Sequence, residues 1–405
     1  MKRLIFVNRY FFPDHSATSQ ILSDLSFHLA QSGREVHVIT SPQLYDNPAA
    51  RLAAEECVRG VHVHRVTSTN FGRSTLLGRG LDYASFYAST SRALLGLASR
   101  DDVIVAKTDP PLISVPAMLA ARRRGAKLIN WLQDIYPEIA VQLGVPLLKG
   151  PLRSGVSWLR DQSLKYAATN VVVGEQMAGR LASLGIASDH IRVVQNWCDD
   201  ETIRPLSRAE NPLLREWGLE DKFIVGYSGN LGRAHEFMTM LDAAEAFRDN
   251  PHVVFLMIGG GHLFSQLALA AKARGLERSF KFFDYQTHEV LKYSLCVPHV
   301  HWISLRREVE GLIVPSKFLG IAASGRPMIA ITSKNGEVAR LVQRFDCGFV
   351  VEPGDTKSLV DALVTLKGNS NLAEAMGQRA RQMLEAHFTR RQALQRWSAA
   401  LDAVL

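Results

Sequence analysis

Cysteine is scarce in this 405-residue chain: only Cys57, Cys198, Cys296 and Cys347 occur, widely spaced and without a Cys-x-x-Cys pair. That excludes a disulfide scaffold and a zinc ribbon, and it suits a reducing compartment. Long apolar runs are missing too, since no stretch approaches the ~20 residues of a membrane span. The opening Leu4-Ile5-Phe6-Val7 run is shorter than the ~7–15 apolar residues of a secretory signal. A cytoplasmic protein without an integral span is expected. Lys/Arg-rich tails, zinc-finger spacings and aromatic RNA-binding motifs are also lacking, so nucleic acid is not the expected partner.

What is there is an ordinary globular composition, 47% hydrophobic and 21% charged. At ~150 residues per domain the length suits two large domains. Lys and Arg total 47 against 39 Asp and Glu, a net +8. An excess of that sign points to phosphate-bearing ligands or an anionic lipid surface.

Apolar runs alternate with helical patterns throughout. Leu4–Val7 reads as a buried strand, and 16–31 as a helix with Ile21, Leu22, Leu25 and Leu29 on one face. Ser32-Gly33-Arg34 ends that helix before a strand over 35–40. Further strands are expected at 61–66, 103–106, 127–132 and 171–173, with helices at about 76–99, 111–124, 151–167 and 175–185. The pattern restarts after a connector at 196–200 and Pro205, with strands at 223–227, 253–258, 280–283, 300–303, 328–331 and 349–351. A mostly helical tail begins at Leu359. Such alternation predicts an α/β fold of parallel sheets covered on both faces. The expected domains are two Rossmann-like, doubly wound units over 1–198 and 199–384. A last helix within 385–405 should cross back onto the first through Leu394, Trp397, Leu401 and Val404.

Two stretches could carry chemistry. Val225-Gly226-Tyr227-Ser228-Gly229-Asn230-Leu231-Gly232-Arg233 is expected to run from a strand through a glycine-rich turn into a helix. Glycines let backbone N–H groups approach a phosphate, and Arg233 adds a charge with fork geometry. An ordinary tight turn with a solvated arginine is the competing reading. In the second stretch, Pro315 and Ser316 suit a helix start and Lys317 falls in its first turn. A cation is disfavoured there by the helix dipole unless an anion lies between them. A capped helix with a stray lysine is the alternative.

These stretches, with Ala322-Ala323-Ser324-Gly325-Arg326-Pro327 and Glu352-Pro353-Gly354-Asp355, resemble retaining GT-B glycosyltransferases of family 4. The similar branch comprises bacterial O-antigen and exopolysaccharide sugar transferases, WbuB-like proteins among them. In the first half, Arg9-Tyr10-Phe11-Phe12-Pro13, Gly33-Arg34-Glu35-Val36-His37-Val38-Ile39-Thr40, Gln133-Asp134-Ile135-Tyr136-Pro137-Glu138 and Val194-Gln195-Asn196-Trp197 follow the family's order. The resemblance thus covers nearly the whole chain.

The resemblance implies a GT-B fold whose domains face a central cleft. A nucleotide-sugar, UDP- or GDP-linked, would bind the second domain, and the first would present a glycan or lipid-linked acceptor. Gly229, Asn230, Arg233, Ser316 and Lys317 would contact the donor diphosphate, and Glu308 or Glu310 with Gly311 and Leu312 would line the donor sugar. Asp134, Arg233, Lys317 and Glu308 form the implied catalytic set. His15, Ser16, Thr18, Gln133 and Asp134 form the acceptor side, although Pro13-Asp14-His15-Ser16-Ala17-Thr18 could equally cap the first helix and Asp134 the next one. The chain departs from the family pattern at Gly320, where a ribose-binding glutamate is usual.

No His-Glu-x-x-His or Asp-x-Asp spacing occurs, so a reaction without metal or cofactor is expected, with cations stabilising the leaving phosphate. His235, His262, His299 and His301 read as satisfied core or surface residues. Ala121-Arg122-Arg123-Arg124-Gly125-Ala126-Lys127 is a basic knot, and 147–166 mixes Arg153, Arg160 and Lys165 with Val156, Trp158 and Leu159. Both suit an anionic bilayer at the inner face of the plasma membrane, or a solvated face with the tryptophan turned inward. The expected activity is transfer of a hexose-type sugar in cell-surface polysaccharide biosynthesis. A sugar-nucleotide epimerase or hydrolase and a silent GT-B subunit are the alternatives.

Overall fold

The computed structural model describes residues 2–47, 49–72, 75–145 and 150–405. Their contacts form two compact units, one reaching Gln195 and including Ala393–Leu405, the other Asn196–Gln392.

In the first unit the strands are β1 (Leu4–Val7), β2 (Val36–Thr40), β3 (Glu55–Val58), β4 (Val61–Arg65), β5 (Val103–Lys107), β6 (Lys127–Leu132), β7 (Thr169–Val172) and β8 (Ile191–Val193). Its helices are α1 (Ala17–Gln31), α2 (Leu76–Leu97), α3 (Ser114–Arg124), α4 (Glu138–Gln142), α5 (Gly150–Tyr166) and α6 (Glu175–Ser183). Among the described residues one sheet runs β3-β4-β2-β1-β5-β6-β7-β8. Every residue of β1, β2 and β5 is buried, as continuous apolar runs between helices require. Strand order reverses between β1 and β5, so the space beyond their carboxyl ends is the natural ligand position.

Strand β3 lies outside the sequence expectation. It pairs antiparallel with β4, and its Glu55, Glu56 and Cys57 are exposed, so no apolar run marks it. Arg59 and Gly60 between the two strands have φ of 51° and 83°. Positive φ at both central positions is the hairpin turn that matches strand twist.

The second unit holds α7 (Pro212–Glu216), β9 (Phe223–Asn230), α8 (Met238–Glu245), β10 (Val253–Gly260), α9 (Phe264–Ala273), β11 (Phe280–Phe283), α10 (His288–Ser294) and β12 (Val300–Ser304). It continues with α11 (Lys317–Ala323), β13 (Met328–Ile331), α12 (Glu337–Phe345), β14 (Gly348–Val351), α13 (Thr356–Gly368) and α14 (Ser370–His387). The sheet order is β11-β10-β9-β12-β13-β14, all parallel, with its reversal between β9 and β12. Its core packs Tyr227, Phe255 and Trp302 against Leu241, Leu267 and Leu363.

The final helix, α15 (Arg390–Asp402), belongs to the first unit from Ala393 onward. Leu394, Trp397 and Leu401 are buried on one face at helical spacing. The Trp397 ring lies 4.4 Å from that of Trp131 on β6. No helix among the described residues is long and apolar enough to cross a membrane.

Candidate active site

In the first unit, ionisable groups gather beyond β1 and β5. Arg9 donates its backbone N–H to Asp109 O at 2.7 Å. Its guanidinium stands 3.7 Å from Asp82 and over the rings of Tyr10 and Tyr83. Lys107, the last residue of β5, is wholly buried. Its Nζ donates to Thr18 O at 2.9 Å and sits 3.8 Å above the Trp131 ring. Burial pushes this amine well below its ordinary pKa, while the Asp109 charge acts the other way. Asp134, just after β6, is raised to about 6 by burial and then by Asp109.

The expected acceptor residues divide. His15 is exposed. Ser16 begins α1 without a side-chain cap bond; Asp14 Oδ1 accepts the Ser16 N–H at 2.8 Å and closes the turn instead. Thr18 joins the cluster through Lys107, and Gln133 is tied by its N–H to Thr108 Oγ1 at 2.9 Å.

The glycine-rich stretch of the second unit differs from the expected strand–turn–helix. Strand β9 stays paired with β10 as far as Asn230 opposite Gly260, and α8 begins only at Met238. The reason is steric: a Cβ on Gly259 would lie 2.3 Å from Gly229 O, so only bare glycines let the strands run on together. Arg233 is consequently not at a helix start, and it is exposed.

Lys317 opens α11 and turns toward this stretch. A Cβ on Gly229, where φ is 121°, would lie 2.9 Å from Lys317 Cε. The ammonium hydrogen-bonds His235 Nε2 at 3.2 Å and lies 5.5 Å from the Tyr227 ring centre. No acidic side chain forms an ion pair with it among the described residues, and burial holds its pKa down to about 8. His235 Nδ1 is 2.6 Å from Ser304 O at the end of β12. Glu236 accepts the Thr239 N–H on Oε1 at 2.8 Å, while its Oε2 is buried without a partner.

The remaining expected donor residues occupy two settings. Glu308 lies on a 3-10 turn, half exposed, 3.4 Å from Arg306. Glu310 is fixed by the Thr332 hydroxyl and closed in by Gly336, where a Cβ would lie 2.5 Å from Glu310 Oε1. Burial raises its carboxyl, and the Thr332 hydrogen bond opposes that shift. It lines a small pocket with Ser304, Leu305, Pro315 and Thr332. Gly311 turns the chain with φ 71°, Leu312 is buried, and Ser316 makes no side-chain cap bond to α11. Among the described residues no group of three or more His, Cys, Asp or Glu is arranged to hold a metal ion.

Lys107, Asp109 and Tyr83 belong to these clusters but are not singled out in the sequence, and His235, expected there only as a satisfied core or surface residue, is the partner of Lys317. Lysine closing an otherwise apolar strand was a usable signal for the first. Nothing local marks His235, because its partner Ser304 comes from a strand far along the chain.

Arg160 also departs from expectation. It faces inward from α5, with both terminal nitrogens on the Glu138 carboxylate at 2.8 and 3.0 Å. Trp158 faces outward, 60% exposed, with Leu152 and Leu159. Residues 147–149 of the expected amphipathic stretch lie outside the described residues.

Comparison with known proteins agrees with this division. Residues 17–197 match the family described as Glycosyl transferase 4-like domain, and residues 212–383 match Glycosyl transferases group 1. The chain is 27% identical over 380 residues to the putative colanic acid biosynthesis glycosyl transferase WcaI of Escherichia coli K12, covering 89% of this chain and 90% of that one. It is 24% identical over 340 residues to the probable glycosyltransferase WbjE of Pseudomonas aeruginosa, covering 82% of each. HepE of Anabaena in complex with UDP-glucose shares the fold, with a TM-score of 0.73 over the full length of both chains at 16% identity. Two matched halves in order, on two doubly wound parallel sheets, make the chain a glycosyltransferase of the GT-B fold, a 4-like domain followed by a group 1 domain.

Proposed function

We propose that the chain is a retaining, metal-independent glycosyltransferase of the WbuB-like branch. It moves a hexose-type sugar from a UDP- or GDP-sugar to a lipid-linked glycan acceptor in cell-surface polysaccharide biosynthesis. The observation that carries this reading is Lys317, a partly buried ammonium with no acidic partner among the described residues, beside the bare backbone of Gly229. A buried cation without a counter-charge is a site for an anion. The names of WcaI and WbjE, and the UDP-glucose held by HepE on this fold, favour a nucleotide-sugar as that anion.

In the reaction, the bond between the anomeric carbon and the donor phosphate oxygen breaks, and an acceptor oxygen bonds to that carbon. Negative charge grows on the diphosphate, where Lys317 and Arg233 stabilise it with the Gly229 and Asn230 backbone and Ser316. Glu308, Glu310, Gly311 and Leu312 surround the sugar. Asp134 takes the acceptor proton, and His15, Ser16, Thr18 and Gln133 belong to the acceptor side.

Turnover of UDP- and GDP-hexoses, followed by nucleotide release, tests this. EDTA is expected to leave the rate unchanged. Asp134 must be ionised and Lys317 protonated, so the rate should fall as pH drops through about 6 and as it rises through about 8. Abolition by EDTA, or a rate flat from pH 5 to 9, would overturn the assignment.

The acceptor reading carries the chain to an anionic membrane surface. Helix α3 packs on α5. Between them they expose Leu119, Leu152, Trp158 and Leu159 together with Arg123, Arg124, Arg153 and Lys165. Exposed apolar and basic side chains on two packed helices fit the headgroup boundary of anionic lipid. At ~1 kcal/mol per basic side chain near the surface, reversing Arg123 and Arg124 to glutamate should weaken binding to phosphatidylserine vesicles at least about tenfold. Salt should release the wild type. Equal binding to neutral vesicles, unmoved by salt or by charge reversal, would defeat the idea.

A further inference from the structure

The tautomer of His235 is fixed by its surroundings. A carbonyl oxygen can only accept, so the 2.6 Å contact with Ser304 O puts the ring proton on Nδ1. Nε2 then keeps its lone pair, and that lone pair faces Lys317 Nζ at 3.2 Å. Burial, and then the Lys317 charge, push the imidazole down to about 3, so it is neutral at physiological pH. Tyr227 stands edge-on to the ring at 6.2 Å. Ser304 is itself held, its hydroxyl accepting the Glu236 N–H at 3.1 Å.

We infer that His235 is a positioning residue for sugar transfer, a locked neutral acceptor that aims the Lys317 ammonium while leaving its positive charge whole for the donor diphosphate. The inference rests on the reading of Lys317 proposed above. An ammonium on a four-carbon stem has three rotating donors and no preferred direction. Tying one N–H to Nε2 sets the direction of the other two. A carboxylate in the same place would also aim the group, but it would cancel much of the attraction for an incoming anion. An apolar side chain would leave the charge intact and the direction loose. A neutral acceptor of fixed tautomer does both, and the switch between β9 and β12 is what brings the Ser304 carbonyl to it. The titratable groups facing the ammonium among the described residues are His235 and Tyr227. The Tyr227 hydroxyl donates to Asn230 O at 2.9 Å and is kept protonated by burial.

Three variants of the full chain separate aim from charge: His235→Leu, His235→Gln and His235→Asp, assayed for turnover across pH and for binding of UDP and GDP by calorimetry. His235→Leu should lower kcat about 10- to 100-fold, with a smaller change in KM for the donor, as loss of an orienting contact does. Its alkaline limb should move to lower pH, because an acceptor that favours the charged amine is gone. His235→Gln supplies an amide oxygen and should recover most of the rate. His235→Asp should move the alkaline limb the other way, to higher pH, and weaken nucleotide binding by about tenfold or more.

A merely structural histidine would give no opposed shifts. Limbs that move in the same direction in the leucine and aspartate variants, or a leucine variant with wild-type kcat and pH profile, would overturn the inference. Should the leucine variant fail to fold, the glutamine and aspartate variants still decide it: most of the rate kept in the first, and in the second a limb moved to higher pH with weaker nucleotide binding. Lys317→Ala, run beside them, separates the two layers. Unchanged UDP and GDP binding in that variant removes the donor reading itself, whereas silent His235 variants beside a dead Lys317→Ala remove only the positioning role.

Discussion

Lys317→Met is expected to lose about 100- to 1000-fold in donor turnover, the effect of removing a positioned charged donor worth ~3–4 kcal/mol in the transition state. The same change should make the ligand-free protein harder to unfold. Burial depresses the folded-state pKa of Lys317 to about 8 from the ordinary 10.5, so its charged form is disfavoured by folding. That penalty is full below pH 8, fades as the pH rises, and is gone above the unfolded value. Discounted for partial exposure, it amounts to about 1–2 kcal/mol at neutral pH. Methionine keeps the apolar stem and drops the charge. A melting temperature higher by roughly 2–8 °C at pH 7, shrinking toward pH 10, is the expected result. A residue kept for stability would behave in the opposite way. A variant that melts lower and turns over within threefold of wild type would sink the assignment.

Trp397→Ala should damage the first unit severely. Its indole is fully buried on α15 against Trp131, and removing such a side chain costs about 3–5 kcal/mol. The effect should reach the acceptor side, because Trp131 also carries the Lys107 ammonium, which holds Thr18 O. Calorimetry is the measurement: the transition of the first unit should fall by roughly 6–20 °C. Trp397→Phe should retain much of the loss. A Trp397→Ala protein that melts like wild type would show that α15 packs without bearing on that core.

The strands buried on both faces were legible as apolar runs, Leu4–Val7 and residues 253–258 among them, because a parallel sheet between helices leaves no polar face. Strand β3 was not, since an exposed hairpin arm owes its position to the Arg59-Gly60 turn and to pairing. Lys317 stood out because a cation in the first turn of a helix opposes the dipole. Its neighbour His235 did not, because the Ser304 carbonyl that fixes its tautomer arrives from across the sheet reversal. Direction was equally hidden on α5, where Arg160 turns inward to Glu138 and Trp158 outward. Periodicity gives a helix its faces, while the identity of each face depends on what packs there.

The first unit is discontinuous in the chain, closed by Ala393–Leu405 after the whole of Asn196–Gln392. During synthesis this reverses the usual order of completion. The first unit is begun first but waits, its Trp131 side of the core uncovered, until Ala393–Leu405 has been made after the whole of the second. At roughly 5–20 residues per second the wait is on the order of 10–50 s. A ribosome that stalls before Ala393–Leu405 is made therefore spoils the half of the enzyme that was begun first.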